Sequence, residues 1–312
     1  MSFRHVPAML NEVVFYLNCR PGKIYVDGTL GGAGHAGAIC DRITPGGVFI
    51  GIDQDIDALN HAKTALQNDA LHIHLLHGNF VRLPEFLSQL NIDAVDGLLL
   101  DLGVSLHQLE DSGRGFSFRK EEPLDMRMDI QSPETAAMLV NNLAQDDLQR
   151  IFKEYGEERW AGSIARNIVK ARRQKKISTS KQLARIVVDS IPRRAAYKQK
   201  IHPATRVFMA LRIVVNRELD RLRTFLDGAV DLLNPEGRLC VLSFHSLEDR
   251  IVKQRLKVLA QGCTCPPQLP CCVCGQKPQV RILTKRVIRP TAEEIAANPM
   301  ARSTRLRAAE KL

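Results

Sequence analysis

The stretch with the clearest chemical promise is residues 24–37, IYVDGTLGGAGHAG. Gly28, Gly31, Gly32 and Gly34 leave a backbone with almost no side-chain cover, so a ligand can approach its N–H groups. A helix starting near His35 adds the unpaired amide donors of its first turn. A second apolar run, residues 48–52, ends in Asp53, and a carboxylate at a strand tip can grip both hydroxyls of a ribose. Together these features point to a cofactor carrying adenosine. Gly32, Gly34 and Gly37 also satisfy the spacing GxGxxG, which leaves NAD and S-adenosylmethionine both open. Two further groups belong to the same edge. Asp101 ends the apolar run 94–100, and His245 follows the apolar run 238–243. His245 either contacts the substrate or takes a proton there, or it is a structural histidine bonded near Glu248 or Asp249.

The elements that must position these residues follow a regular rhythm. Strands are expected at 24–27, 48–53, 71–76, 94–101 and 238–243, with crossover helices at 36–43 and 55–66. This order predicts an open, doubly wound parallel sheet that binds its ligand at the strands' carboxyl ends. Phe80, in the loop after the third strand, either stacks on an adenine or caps the core. The glycine-rich, charged segment after Asp101 has no prompt helix and reads as a loop near the active site. Residues 134–205 read as a separate unit of helices at 134–143, from 146 or 147 to 155, 159–173 and 180–191. One long helix is expected at 207–233, stopped by Pro235 and Gly237, and Ser246 is the expected N-cap of a helix through residue 259. Residues 280–288 supply a last strand or hairpin, and the tail from Pro290 is expected to lie on the surface as a basic segment.

The 312 residues carry 44 Lys plus Arg against 34 Asp plus Glu, a net charge of +10, which favours a polyanionic partner. The bias concentrates in residues 159–200, with 13 Lys or Arg and one acid, Asp189. Trp160 and Tyr197 are the aromatics there, so phosphate and shape contacts are expected rather than base stacking. The sequence has no apolar run long enough to cross a membrane, and its first residues lack the apolar core of a signal peptide, so a cytoplasmic location is expected. Five of the eight cysteines fall in CTCPPQLPCCVC, residues 263–274. Four thiolates from this cluster could hold a structural zinc. The CxC spacings are tighter than the usual CxxC and no second knuckle follows, so a reduced, proline-rich loop is the favoured reading.

Block by block, the chain resembles the bacterial RsmH (MraW) family of methyltransferases. The resemblance rests on HVPAMLNEVV (5–14), DGTLGGAGH (27–35), GIDQD (51–55), LLLDLGVS (98–105), RGFSF (114–118), PLDMRMD (123–129), YGEERWA (155–161), HPATRVFMALRIVVN (202–216), LSFHSLEDRIVK (242–253) and NPMARSTRLR (298–307). It implies a class I (Rossmann-like) methyltransferase core, residues 1–108 and 206–312, with residues 109–205 as an inserted helical substrate-recognition domain. It also implies S-adenosylmethionine as cofactor, with contacts at Ala33, Gly34, His35, Asp53, Phe80, Asp101 and Gln108. The implied substrate is N4 of a cytidine in the decoding centre of small-subunit (16S) ribosomal RNA, as RNA within the small subunit. No membrane partner is implied, and an oligomeric state is not set.

A sulfonium methyl is already activated, so this chemistry needs positioning in line with the S–CH₃ bond rather than a metal. Cytosine N4 is a poor nucleophile, and acceptors on its hydrogens would stabilise the developing positive charge. Asp101 and His245 are the catalytic candidates. Exocyclic-amine methyltransferases commonly carry Asp/Asn-Pro-Pro-aromatic after the fourth strand, and Asp101-Leu102-Gly103-Val104 departs from it. Stacking of a flipped base is therefore unassigned, with Phe116 and Phe118 as candidates for either stacking or core packing. Carbon-5 methylation would need a cysteine in the cleft, whereas Cys40 falls in a helix and Cys240 inside a strand. The competing readings are an NAD-dependent oxidoreductase, a non-catalytic RNA-binding assembly protein and a DNA cytosine-N4 methyltransferase.

Overall fold

The apolar runs ending in Asp27, Asp53 and Asp101 are strands of one seven-stranded sheet in the computed structural model, which describes residues 7–192, 194–195, 201–263, 265 and 274–312. The strands are β1 (Ile24–Asp27), β2 (Val48–Asp53), β3 (His72–His77), β4 (Val95–Asp101), β5 (Leu233–Ser243), β6 (Val280–Ile282) and β7 (Arg305–Lys311). Their order is β3-β2-β1-β4-β5-β7-β6. Parallel pairing runs from β3 to β5, and β7 lies antiparallel to both β5 and β6. The chain divides into two compact units, Met1–Val104 with Leu219–Leu312, and Ser105–Glu218.

The first unit holds the whole sheet. Successive strand side chains alternate between its faces. Val26, Ile50, Ile52, Leu98 and Leu100 pack on one face with Leu83, Phe86, Leu222, Phe225 and Val252. Tyr25, Phe49, Leu99, Cys240 and Leu242 pack on the other with Val13, Leu17, Ile39 and Leu59. Burial on both faces explains why the strands read as nearly continuous apolar runs. Strand order reverses at β1 and β4. The crevice outside their carboxyl ends is therefore the natural ligand position in an open sheet of this kind.

Three sequence expectations are corrected. The tail beyond residue 290 lies on the surface only as far as residue 303. Its last stretch is β7, with Leu306, Ala308 and Ala309 buried. Two of the arginines that made it look like a solvated tail, Arg305 and Arg307, are paired across the fold, while Arg302 is exposed. Arg307 Nε lies 2.7 Å from Asp249, and Arg305 lies 3.7 Å from the same carboxylate. The single helix expected at 207–233 is two, Ala204–Val215 and Glu218–Gly228. Arg217 breaks it with φ at 49°, and residues 233–237 already belong to β5. The segment after Asp101 does contain a prompt helix, Leu106–Glu110, capped by Ser105.

The second unit contains the helices Ala136–Asn142, Gln145–Glu154, Ala161–Gln174, Ser180–Asp189 and Ala204–Val215. Leu148, Phe152, Ile164, Ile168, Leu183, Val187, Val207 and Leu211 are buried, which matches their 3.6-residue periodicity. Ala204–Val215 groups with this unit, whereas the sequence reading placed residues from 206 onward with the core. The loop before these helices is firmly held. Leu124, Met126 and Met128 turn inward, and Arg114 Nη1 donates to the carbonyls of Arg127 (3.0 Å) and Met128 (2.9 Å). Asn216 closes the same loop, accepting from Met128 N and donating to Met126 O, both at 2.8 Å. Gly115 is required here: at φ 70° a Cβ would lie 2.3 Å from the Pro123 carbonyl oxygen. Among the described residues no helix is long and apolar enough to cross a membrane.

Candidate active site

The first unit brings Asp27, Asp53 and Asp101 to the carboxyl ends of β1, β2 and β4, with the glycine turn between them. The turn is shaped by the aspartates themselves. Asp53 Oδ2 accepts from Gly31 N and its Oδ1 from Asp55 N, both at 2.8 Å. The Gln54 amide also bonds this carboxylate, so three backbone donors hold Asp53 at the tip of β2. Ala33 takes a left-handed conformation (φ 59°) and leads into the helix Gly34–Ile43. Gly28 fits only as glycine, because a Cβ there would meet Leu100 Cδ2 at 2.6 Å and Phe80 Cβ at 3.0 Å.

A buried polar chain links the strand tips. Asp27 Oδ1 accepts from Thr29 N (3.0 Å), and Thr29 Oγ1 in turn accepts from Asp101 N at 2.5 Å. Asp101 Oδ2 lies 3.4 Å from His35 Nδ1, and His35 Nε2 lies 3.0 Å from the Ala8 carbonyl. A carbonyl only accepts, so Nε2 carries a hydrogen, and Nδ1 faces a carboxylate. A hydrogen on Nδ1 as well would make the ring an imidazolium, which the facing carboxylate favours. Burial opposes that charge, but the hydrogen bond and charge of Asp101 and the charge of Asp27 outweigh it and raise the His35 pKa. Burial pushes Asp27 up to about 7 and Asp53 up to about 6. Asp101 Oδ1 is buried and, among the described residues, has no hydrogen-bond partner.

The β3 loop adds a residue the sequence reading missed. Asn79 Oδ1 caps the turn Phe80–Arg82 by accepting from Val81 N at 3.0 Å, while Asn79 Nδ2 is buried without a partner among the described residues. The signal was present in HGNF, but the neighbouring aromatic drew attention instead. Phe80 itself is buried in the core, edge-on to Phe225 with ring centroids 5.3 Å apart.

His245 stands just beyond β5, whose Leu242 pairs with Asp101. It, and not Ser246, is the N-cap of the helix Ser246–Ala260. Its Nδ1 faces Glu248 N at 3.5 Å, and Glu248 Oε2 returns to Phe244 N at 2.9 Å. Nε2 lies 3.1 Å from Glu248 Oε1, close enough for ion pairing but not aligned as a hydrogen bond. The ring is thus committed to ordering the turn after β5. Cys40 and Cys240 are both buried in the sheet core.

Gln108 belongs to the second unit. Its side chain completes a capping box, with Oε1 accepting from Ser105 N at 3.1 Å. In the same unit Phe116 is buried, and Arg114 lies over its ring at 5.5 Å. Phe118 stacks on His202 with centroids 4.4 Å apart and meets Phe208 edge-on. His202 Nδ1 accepts from Ala204 N at 3.2 Å, so it starts the helix Ala204–Val215. Arg159, Arg166, Lys170, Arg173, Lys175, Lys176, Lys181 and Arg185 are exposed along the preceding helices and their connection. Arg193, Lys198 and Lys200 lie outside the described residues.

Residues 2–312 match the model of the MraW methylase family. The chain is 57% identical to the Ribosomal RNA small subunit methyltransferase H of Desulfosudis oleivorans over 312 residues, covering all of both chains. It is 54% identical to the protein of the same name from Geobacter sulfurreducens, again covering all of both. Among solved structures, an rRNA methylase from Streptococcus thermophilus is similar at 10% identity and a TM-score of 0.41, covering 99% of each chain.

Proposed function

Because the chain belongs to the MraW methylase family, we propose that it transfers a methyl group from S-adenosylmethionine to N4 of a cytidine in small-subunit ribosomal RNA. The observation that carries the reading is the buried, unpartnered Asp101 Oδ1 beside a glycine turn and a second strand-tip carboxylate. The polar groups present fit this cofactor. Asp53 offers acceptors to a ribose diol, Asn79 Nδ2 offers a donor to an adenine ring nitrogen, and the turn through Ala33 and Gly34 presents backbone to the amino-acid end. Gln108 and Phe80 complete the expected contacts by resemblance. When bound, S-adenosylmethionine supplies a methyl group on a positively charged sulfur.

The chain's own residues do the rest. Asp101 Oδ1 accepts a hydrogen from an amine, and accepting from the target N4 favours the pyramidal nitrogen that can attack. His35 holds the other Asp101 oxygen, fixing the carboxylate's direction and balancing its charge. His245 acts by ordering the β5 turn, as a positioning residue. The exposed cations between Arg159 and Arg185 supply phosphate contacts to the RNA. The buried thiols Cys40 and Cys240 fit the reducing cytoplasm where ribosomes are made.

The test is transfer of labelled methyl to assembled small subunits, naked small-subunit RNA and duplex DNA, followed by nucleoside mass spectrometry. The expected product is N4-methylcytidine in ribosomal RNA. Label in DNA, or in another nucleoside, would overturn the substrate assignment.

A further inference from the structure

The segment joining the helix Ser246–Ala260 to β6 is rich in cysteine, and the methyl-transfer reading makes no use of it. Its stem is pinned, with Gln279 N donating to Leu259 O at 2.8 Å and Leu312 N to Gln279 O at 3.0 Å. Between these anchors the sequence offers no histidine, aspartate or glutamate, and its one cation is Lys277.

The described cysteines of this segment converge. The sulfurs of Cys263, Cys265 and Cys274 all lie within 4.8 Å of one another. Cys263 Sγ and Cys274 Sγ are 3.7 Å apart. A disulfide would bring them to about 2.05 Å. Two thiolates on a tetrahedral zinc, with Zn–S bonds of about 2.3 Å, stand about 3.8 Å apart along the tetrahedron's edge. The observed separation excludes a disulfide; it suits a thiol–thiol hydrogen bond and equally matches the edge between two zinc ligands. An all-sulfur donor set, with no carboxylate within the segment, selects a soft or borderline cation over magnesium or calcium.

We propose that Cys263, Cys265 and Cys274 bind a structural zinc ion that clamps this loop. The ion closes the loop ahead of β6 and takes no part in methyl transfer. Because its ligands must be deprotonated, binding releases protons and weakens in acid.

The test uses the full-length protein, expressed with zinc in the medium and purified without chelator. Elemental mass spectrometry should find one zinc per chain, released by a thiol-blocking mercurial. Cys263→Ser and Cys274→Ser should each lose it, while Cys19→Ser retains it. Cobalt(II) added to the zinc-free protein should show the ligand-field bands of a tetrahedral site and thiolate charge transfer. Protease cleavage within residues 261–279 should rise after metal removal and fall when zinc is restored, a readout that does not require the serine variants to fold. Metal-free protein that takes up neither zinc nor cobalt would overturn the proposal. So would iron or copper in place of zinc, or a disulfide among the three cysteines.

Discussion

Asp27 makes the protonation of the site measurable through stability. Its carboxyl is buried at the tip of β1 and pushed by burial from 3.8 up to about 7. Between those values the native protein keeps a proton that the unfolded chain has lost. Stability is therefore fully present below the unfolded value and is lost as pH rises through the folded one. At about 1.4 kcal/mol per pH unit, a window of about three units is worth at most about 4 kcal/mol. The nearby His35 cation favours the ionised carboxylate and is already included in the value. Asp53, raised by burial to about 6, and His35, also raised, act in the same direction. Asp27→Asn isolates the first contribution. An amide oxygen in the place of Oδ1 still accepts from Thr29, but the group no longer ionises. Relative to the native protein, the variant should gain up to about 4 kcal/mol between about pH 4 and about pH 8. Urea unfolding followed by circular dichroism measures this. Tryptophan fluorescence does not, because the one tryptophan, Trp160, lies in the second unit. Stability curves for the two proteins that stay parallel across the window would refute the reasoning.

Asp53→Ala removes the acceptors that hold Gly31 N and Asp55 N as well as the proposed ribose contact. At about 1.5–3 kcal/mol for a charged hydrogen bond, S-adenosylmethionine affinity by calorimetry should fall about 10- to 100-fold. Asp101→Asn keeps the shape but replaces one acceptor with a donor, so turnover on small subunits should fall by about 100-fold or more; single-turnover kinetics with bound cofactor separates this from binding. Replacing Arg166, Lys170 and Arg173 together with alanine should weaken RNA binding at low salt. It should also flatten the plot of log affinity against log salt by about 0.7–0.9 for each phosphate no longer neutralised. An unchanged slope would move the RNA surface elsewhere.

Much of the sheet was legible because a parallel strand buried on both faces has no polar interruption until its tip. IYVD, VFIGID and VDGLLLD each announce the strand and the carboxylate at its tip at once. The glycine turn was legible for the same local reason. What escaped depends on distant partners. Arg305 and Arg307 looked like a solvated tail because nothing near them in sequence reveals Asp249. The break at Arg217 was hidden because Leu211, Val215, Leu219 and Leu222 keep a helical spacing across it. Ser246 is the better cap by residue type, yet His245 takes the place because Glu248 folds back on the amides of Phe244 and His245. Asn79 was passed over because an orphaned amide hydrogen is a property of its surroundings, not of its own residue type.

The sheet order also has a consequence for how the protein is made. β4 ends at Asp101 and its neighbour β5 begins at Leu233, so the residues of the second unit are synthesised between two strands that must pair. Loop closure on that scale is slow, and β4 presents an open hydrogen-bonding edge until β5 arrives. β5 then waits in turn for β7, whose Arg305–Lys311 leaves the ribosome after it. During synthesis the half-sheet β3-β2-β1-β4 is the exposed species. Delay or truncation before residue 305 should therefore produce aggregation rather than a soluble, weakened enzyme.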